Sequence, residues 1–194
     1  MTVQDFITGV RYPLNDFRDA ANPEYSDTEL ISYINRGLQL LSLALTNLYW
    51  RGQQKEVSLV VQDKSTSIPE DFIKEVFVKV SGQPELTWCD DGSEVKDGYY
   101  SIVGRSLYVN LEDNEQILLR YFYAYSTISV DDNLPILDWM VPYLHNIVVF
   151  LALNRNEFAL NVESRLVKDA AMQIAGVSGG YGVGGKDEDI GMAW

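Results

Sequence analysis

The sequence predicts an α+β protein: a helical bundle with an inserted antiparallel β-sheet region and a flexible C-terminal arm. Three observations predict it. Apolar residues recur at helical spacing up to about residue 54 and again from about residue 131, while between them they alternate with the period of a half-buried strand. After residue 175 the chain turns glycine-rich. The divisions that follow are N-terminal helices over 1–54, a β region over 55–130, C-terminal helices over 131–175 and an arm over 176–194. Helices, then strands, then helices place the sheet between two halves of a bundle.

Residues 2–10 read as a short helix stopped near Pro13. The next helix opens at Ser26 or Asp27, where Ser26 and Glu29 have the spacing of a capping box. Leu30, Ile34, Leu38, Leu41, Leu45 and Leu48 then recur at three and four residues, and Leu40, Leu43 and Ala44 widen the stripe. A stripe that broad implies burial on two sides, either in a bundle or against another subunit. Gly37 costs this helix about 1 kcal/mol relative to alanine, a cost that a close helix crossing would explain.

Four segments carry strand periodicity. Val57, Leu59 and Val61 share one face of the first, and Val76, Val78 and Val80 one face of the second. Leu107, Val109 and Leu111 share a face of the third, and Ile117, Leu119, Tyr121, Tyr123 and Tyr125 a face of the fourth. Gly104-Arg105 suits a two-residue hairpin with glycine first. Asp63-Lys64-Ser65-Thr66 and Glu112-Asp113-Asn114 read as turns. "WCDDGSEVKDG" is a longer loop.

After Pro135, residues 136–155 place Leu137, Met140, Val141, Leu144, Ile147, Val148 and Leu151 at helical spacing. Pro142 means that the helix either starts there, with proline in its first turn, or is kinked. A last helix over 157–175 carries Phe158, Val162, Leu166, Ala170 and Ile174.

The composition narrows the function classes. At 46% hydrophobic and 22% charged, the 194 residues can build a core and do not have the makeup of a disordered chain. A net charge of −13 and an isoelectric point near 4.4 argue against gripping phosphate backbones. Cys89 is the single cysteine, so no intrachain disulfide is expected. "MTVQDFITGV" lacks the basic and apolar regions of a signal peptide. The apolar run Ile147–Leu153 is too short to span a bilayer. Neither secretion nor membrane insertion is expected.

Catalytic chemistry finds little footing. His145, the single histidine, lies beside an apolar helix stripe with no nucleophile near it in sequence, so a packed or interface histidine is expected. Cys89 is followed by Asp90 and Asp91, the opposite of the cationic surroundings that activate a thiol. Asp90, Asp91, Glu94 and Asp97 cluster, but the glycine comes too early for a calcium loop and no glutamate closes it. "GGYGVGGKDED" lacks the spacing of a phosphate-binding loop and its strand-to-helix context. No catalytic residue, cofactor site or metal ligand is therefore assigned, and the protein is not expected to be an enzyme.

Interaction surface is the remaining theme. The chain has twelve tyrosines and four tryptophans, residue types that interface cores favour. Tyr49, Trp50 and Arg51 at a helix end are candidate interface residues. In the arm, glycines tether an acidic cluster and then Ile190, Met192 and Trp194; with Tyr181 these are the candidate partner-binding residues.

Tyr25, Ser26, Asp27, Glu29, Leu30, Tyr33, Ile34, Asn35 and Gly37 form a segment that resembles the head-to-tail adaptor (connector, or head-completion) proteins of tailed bacteriophages. The likeness continues through Ile68-Pro69 to Val80, and through Pro135, Leu144, His145, Val148 and Ala152, covering roughly residues 5–175. It implies a non-catalytic structural protein of the virion neck, assembled in the host cytoplasm. Such proteins form a ring, commonly of twelve copies, that bridges the portal to tail or nozzle proteins and lines the channel through which double-stranded DNA passes without sequence-specific contacts. In some, a C-terminal arm docks on the portal. The acidic charge fits a conduit that repels the duplex. The competing readings are another tail-completion module, or a carbohydrate- or receptor-binding domain stacking sugars on Trp88, Tyr99 and Tyr100. A hydrolase using His145 or the acidic loop is a distant third.

Overall fold

The computed structural model describes residues 1–16, 23–90, 92, 94–155 and 160–177. Among these residues lie four α-helices and seven strands in two sheets, a mixed α+β fold. The chain divides into two compact units, one formed by Met1–Gly52 with the segment from Ile128 onward, the other by Gln53–Thr127.

In the helical unit, α1 (Val3–Arg11) starts at Thr2, whose hydroxyl accepts the Asp5 amide at 3.1 Å. Val3, Phe6, Ile7 and Val10 turn one buried face inward. Helix α2 (Asp27–Asn47) opens with the expected capping box: the Glu29 amide donates to Ser26 Oγ at 3.2 Å, and the Ser26 amide donates to Glu29 Oε2 at 3.3 Å. Such a cap is worth about 1 kcal/mol. Leu30, Ile34, Leu38, Leu41 and Leu45 are buried, and α2 packs on both α3 and α4. The widening of the stripe falls elsewhere than expected. Leu43 is 52% exposed, and the extra buried positions are Ser42 and Thr46. Their hydroxyls donate to the carbonyls of Leu38 and Ser42, each at 2.9 Å, so both can be buried without an unpaired polar group.

Helix α3 (Val141–Leu153) follows a 3-10 turn over Asp138–Met140. Pro142 lies in its first turn, where a missing amide hydrogen costs nothing, so the helix starts there and is not kinked. Met140, Leu144, Ile147, Val148 and Leu151 are buried. Leu137 is not part of this stripe: it precedes the 3-10 turn in extended backbone and is exposed. In α4 (Leu160–Val177) the inward residues are Val167, Ala170, Ala171, Ile174 and Ala175. Val162 is 53% exposed, Leu166 is half-buried, and Phe158 lies outside the described residues. A strict four-residue spacing drifts about 40° round the helix at each step, and so leaves the buried face within two steps.

In the β unit, β1 (Gln54–Val60), β7 (Gln116–Tyr123) and β3 (Phe72–Val80) form a three-stranded antiparallel sheet in the order β1-β7-β3. A second sheet has the order β2-β6-β5-β4, from β2 (Ser65–Ser67), β6 (Ser106–Val109), β5 (Tyr99–Val103) and β4 (Thr87–Trp88). Two sheets thus replace the single antiparallel sheet expected, and the two-residue β4 pairs parallel with β5. They share one core: Val61, Val78, Ile117, Leu119 and Tyr121 meet Tyr100, Leu107 and Val109.

Two tight turns have the geometry that their residues demand. Asp63 and Lys64 both have positive φ, 48° and 58°, and Gln62 and Ser65 exchange backbone hydrogen bonds at 2.9 and 3.0 Å. This is the tight two-residue turn that matches strand twist. Ser65 and Thr66, read from sequence as turn, are therefore strand. Gly104 takes φ 61° between Val103 and Ser106, as expected of a glycine-first hairpin. Val76 departs from its expected face. The pairing of β3 on β7 slips between Glu75 and Phe77, so Val76 is an extra residue and turns outward.

Candidate partner-binding surfaces

The segment from Tyr25 to Gly37 builds the scaffold. Leu30 and Ile34 are core, and Asp27 Oδ1 accepts from Arg11 Nη2 at 2.6 Å. Asn35 holds the chain where it returns from the β unit. Its Nδ2 donates to the Ile128 carbonyl at 3.1 Å, and its Oδ1 accepts the Ile128 amide at 2.9 Å. Gly37 makes the α2–α3 crossing: a Cβ there would sit 3.1 Å from Leu144 Cδ1 and 3.4 Å from Ile147 Cγ2. Tyr25 is buried, with the Arg155 guanidinium 4.6 Å from its ring centre. Burial raises its pKa, and Arg155 opposes the rise.

Two acidic residues that the sequence did not single out organise their surroundings. Asp16, buried in the helical unit, accepts from Arg11 and from the amides of Glu24 and Tyr25, at 2.5 and 3.3 Å. It therefore ties the end of the first helical segment to the start of α2. Asp71 accepts from Lys55 Nζ at 2.7 Å and from Tyr121 Oη at 2.9 Å, joining residues of β1 and β7. Burial pushes its pKa up, but the Lys55 and Tyr121 hydrogen bonds, with the Lys55 charge and a backbone hydrogen bond, hold the carboxyl below its ordinary range. Burial and the Asp71 bond push the Tyr121 phenol up to about 12.

Of the three candidates at the end of α2, the structure separates one from the other two. Trp50 is only 3% exposed, meets the Trp139 ring edge-on at 6.3 Å, and lies so close to Gly52 that a Cβ there would overlap its ring. It is a core residue and does not project. Tyr49, at φ 52°, and Arg51 are exposed. The positive φ at Tyr49 turns the chain sharply after α2, swinging Trp50 inward and leaving its neighbours out. The arm candidates Tyr181, Ile190, Met192 and Trp194 lie outside the described residues.

The residues weighed for chemistry are packed apart. His145 meets Phe6 edge-on at 5.9 Å. Cys89 is half-buried, its amide donating to the Tyr100 carbonyl at 2.8 Å. Asp97 accepts from Asn110 at 2.5 Å. Among the described residues, no three His, Cys, Asp or Glu side chains gather as a metal site would require. The proposed sugar platform is broken: Trp88 and Tyr99 are exposed, but Tyr100 is 5% exposed and part of the core. Burial first, and then the Glu75 carboxylate, push the Tyr100 phenol up to about 12.

One concave surface of the helical unit combines aromatic and polar groups. A groove of about 270 Å³ runs between α3 and α4, with Trp139, Tyr143 and Asn146 on one wall and Leu166, Asp169 and Gln173 on the other. No helix among the described residues is long and apolar enough to cross a membrane.

No curated protein matches the chain. A family model, that of the SU10 adaptor protein, matches residues 1–176, from α1 through to the last turn of α4 and including both units. The match spans the residues that carry the resemblance, and the chain belongs to the SU10 adaptor protein family, structural adaptors of bacteriophage virions.

Proposed function

We propose that the protein forms an oligomeric ring, of twelve copies, in the neck of the virion. The ring bridges the portal to tail or nozzle proteins and surrounds the DNA exit channel. The observation that carries this reading is the family match across residues 1–176. The charge of −13 supports it, because an acidic wall repels the duplex within about 10 Å at moderate salt. Head-to-tail contacts between identical subunits close into rings when the rotation permits. Tyr49 and Arg51, exposed beside a buried Trp50, are proposed contact residues, since a well-anchored turn presents its neighbours rigidly.

The arm, with Tyr181, Ile190, Met192 and Trp194, is proposed to dock on the portal or on an adjacent subunit. Native mass spectrometry of the protein mixed with isolated portal tests the ring. One defined complex with a fixed number of adaptor copies is expected, and the absence of any stoichiometric complex would remove the reading. Truncation after Gly176 tests the arm: affinity for portal should fall, and unchanged affinity would refute its role.

A further inference from the structure

The α3–α4 groove is a concave surface near the C-terminal end of α4. Its walls offer the rings of Trp139 and Tyr143, with Asp169, Asn146 and Gln173 as hydrogen-bonding groups. That is the makeup of a site for one large side chain with a polar edge. Gln173 lies about one turn before Val177, where α4 ends. The residues that follow therefore start beside the groove they would fill. They run through Gly179, Gly180, Gly182, Gly184 and Gly185 before reaching Ile190, Met192 and Trp194.

From this we infer that the α3–α4 groove receives the same chain's Ile190–Trp194 segment, with the Trp194 indole between α3 and α4. The inference takes from the proposed function only that this segment is an anchor. A glycine-rich tether of this length gives the anchor an effective concentration on the order of millimolar at a site on its own chain. Asp169 is an acceptor for the indole N–H, the polar handle that a buried tryptophan needs. Met192 suits the Trp139 and Tyr143 rings, because thioethers pack favourably on aromatic edges. Seated there, the anchor is held out of water until a binding partner competes for it. The groove is thus a storage site, distinct from whatever surface the assembled particle provides.

The test uses the full chain without portal, so its failure is separate from failure of the ring reading. The four tryptophans are labelled as 5-fluorotryptophan and followed by fluorine NMR, with Trp194→Phe and Trp139→Phe assigning their resonances. The Trp194 resonance is expected away from the free-indole position, unchanged on tenfold dilution. Filling the groove from two exposed positions, Asn146→Arg with Gln173→Arg, should return it to the free position. Trp194→Phe should in turn move the Trp139 resonance, which tests the same contact even if the groove variant does not fold. A Trp194 resonance at the free position in the unaltered chain, or one indifferent to the groove variant, overturns the proposal. So does a shift of Trp194 or Trp139 that fades on dilution, since the groove would then belong to a second copy.

Discussion

The two units of this adaptor are stabilised by the same hydrophobic effect but specified differently. In the helical unit, local signals set the helix starts and most of the inward faces. Ser26 and Glu29 start α2, Pro142 starts α3, and Leu30 to Leu45 state which face turns inward. In the β unit, the strands are local but their assembly is not. The register of β3 on β7 slips at Val76, the chain turns into β2 at Asp63 and Lys64 with positive φ, and the strands sort into two sheets. Helical periodicity is a property of one segment, whereas sheet membership belongs to pairs of segments far apart in sequence.

The largest expected effect falls in the helical unit, at a residue no local rule marks. Asp16→Ala removes the buried acceptor of Arg11 and of two amides, and should cost about 3 kcal/mol in a urea titration, the usual penalty for breaking a buried ion pair. A loss below 1 kcal/mol would mean that the N-terminal segments are joined by something else. Gly37→Val comes next. Its branched side chain meets Leu144 and Ile147 in the crossing, and should cost about 1–3 kcal/mol by overpacking. Hydrogen exchange should locate that loss in α2 and α3; a loss spread equally over β1, β3 and β7 would erase the contrast between the units.

In the β unit the sharper probe is pH. Tyr100 and Tyr121 have folded-state values near 12 against about 10 unfolded. The unfolded chain therefore releases these protons first as pH rises. Stability should be full below pH 10 and fall between pH 10 and 12, by up to about 1.4 kcal/mol per pH unit for each such proton. Tyr121→Phe should remove part of that slope. It should also release Asp71 toward its ordinary range, because one of its two side-chain donors is lost. Asp71 acts in the opposite direction, since its lowered pKa adds stability that is lost as pH falls below about 4. An alkaline unfolding curve identical in the wild type and in Tyr121→Phe would refute the role given to that phenol. The smallest effect is Ser26→Ala, about 1 kcal/mol from one lost cap and seen as fraying of the first turn of α2.

Much of the fold was legible in the sequence because capping, proline placement and strand alternation are local. The exceptions have physical causes. Leu43 looked buried and Ser42 did not, because hydrophobicity alone ignores a hydroxyl that can bond the preceding turn. Val162 followed an exact four-residue spacing that a helix does not keep. The candidate surface was less legible. Trp50 looked like an anchor because the positive φ at Tyr49, which turns it inward, has no glycine to announce it. Asp71 was invisible because Lys55 and Tyr121 come from other strands, and Asp16 because Arg11, Glu24 and Tyr25, though near in sequence, meet it at none of the spacings a cap or a helix face prescribes. The groove was invisible because its two walls belong to different helices.

Assembly on a portal as a neck adaptor is the proposal most open to refutation. Electron cryomicroscopy of the protein incubated with portal rings tests it most directly. A coaxial ring of adaptor density is expected beneath each portal, with the helical and β units repeated around one channel. Portal rings that stay bare at saturating adaptor, or that carry it as scattered single copies, would contradict it.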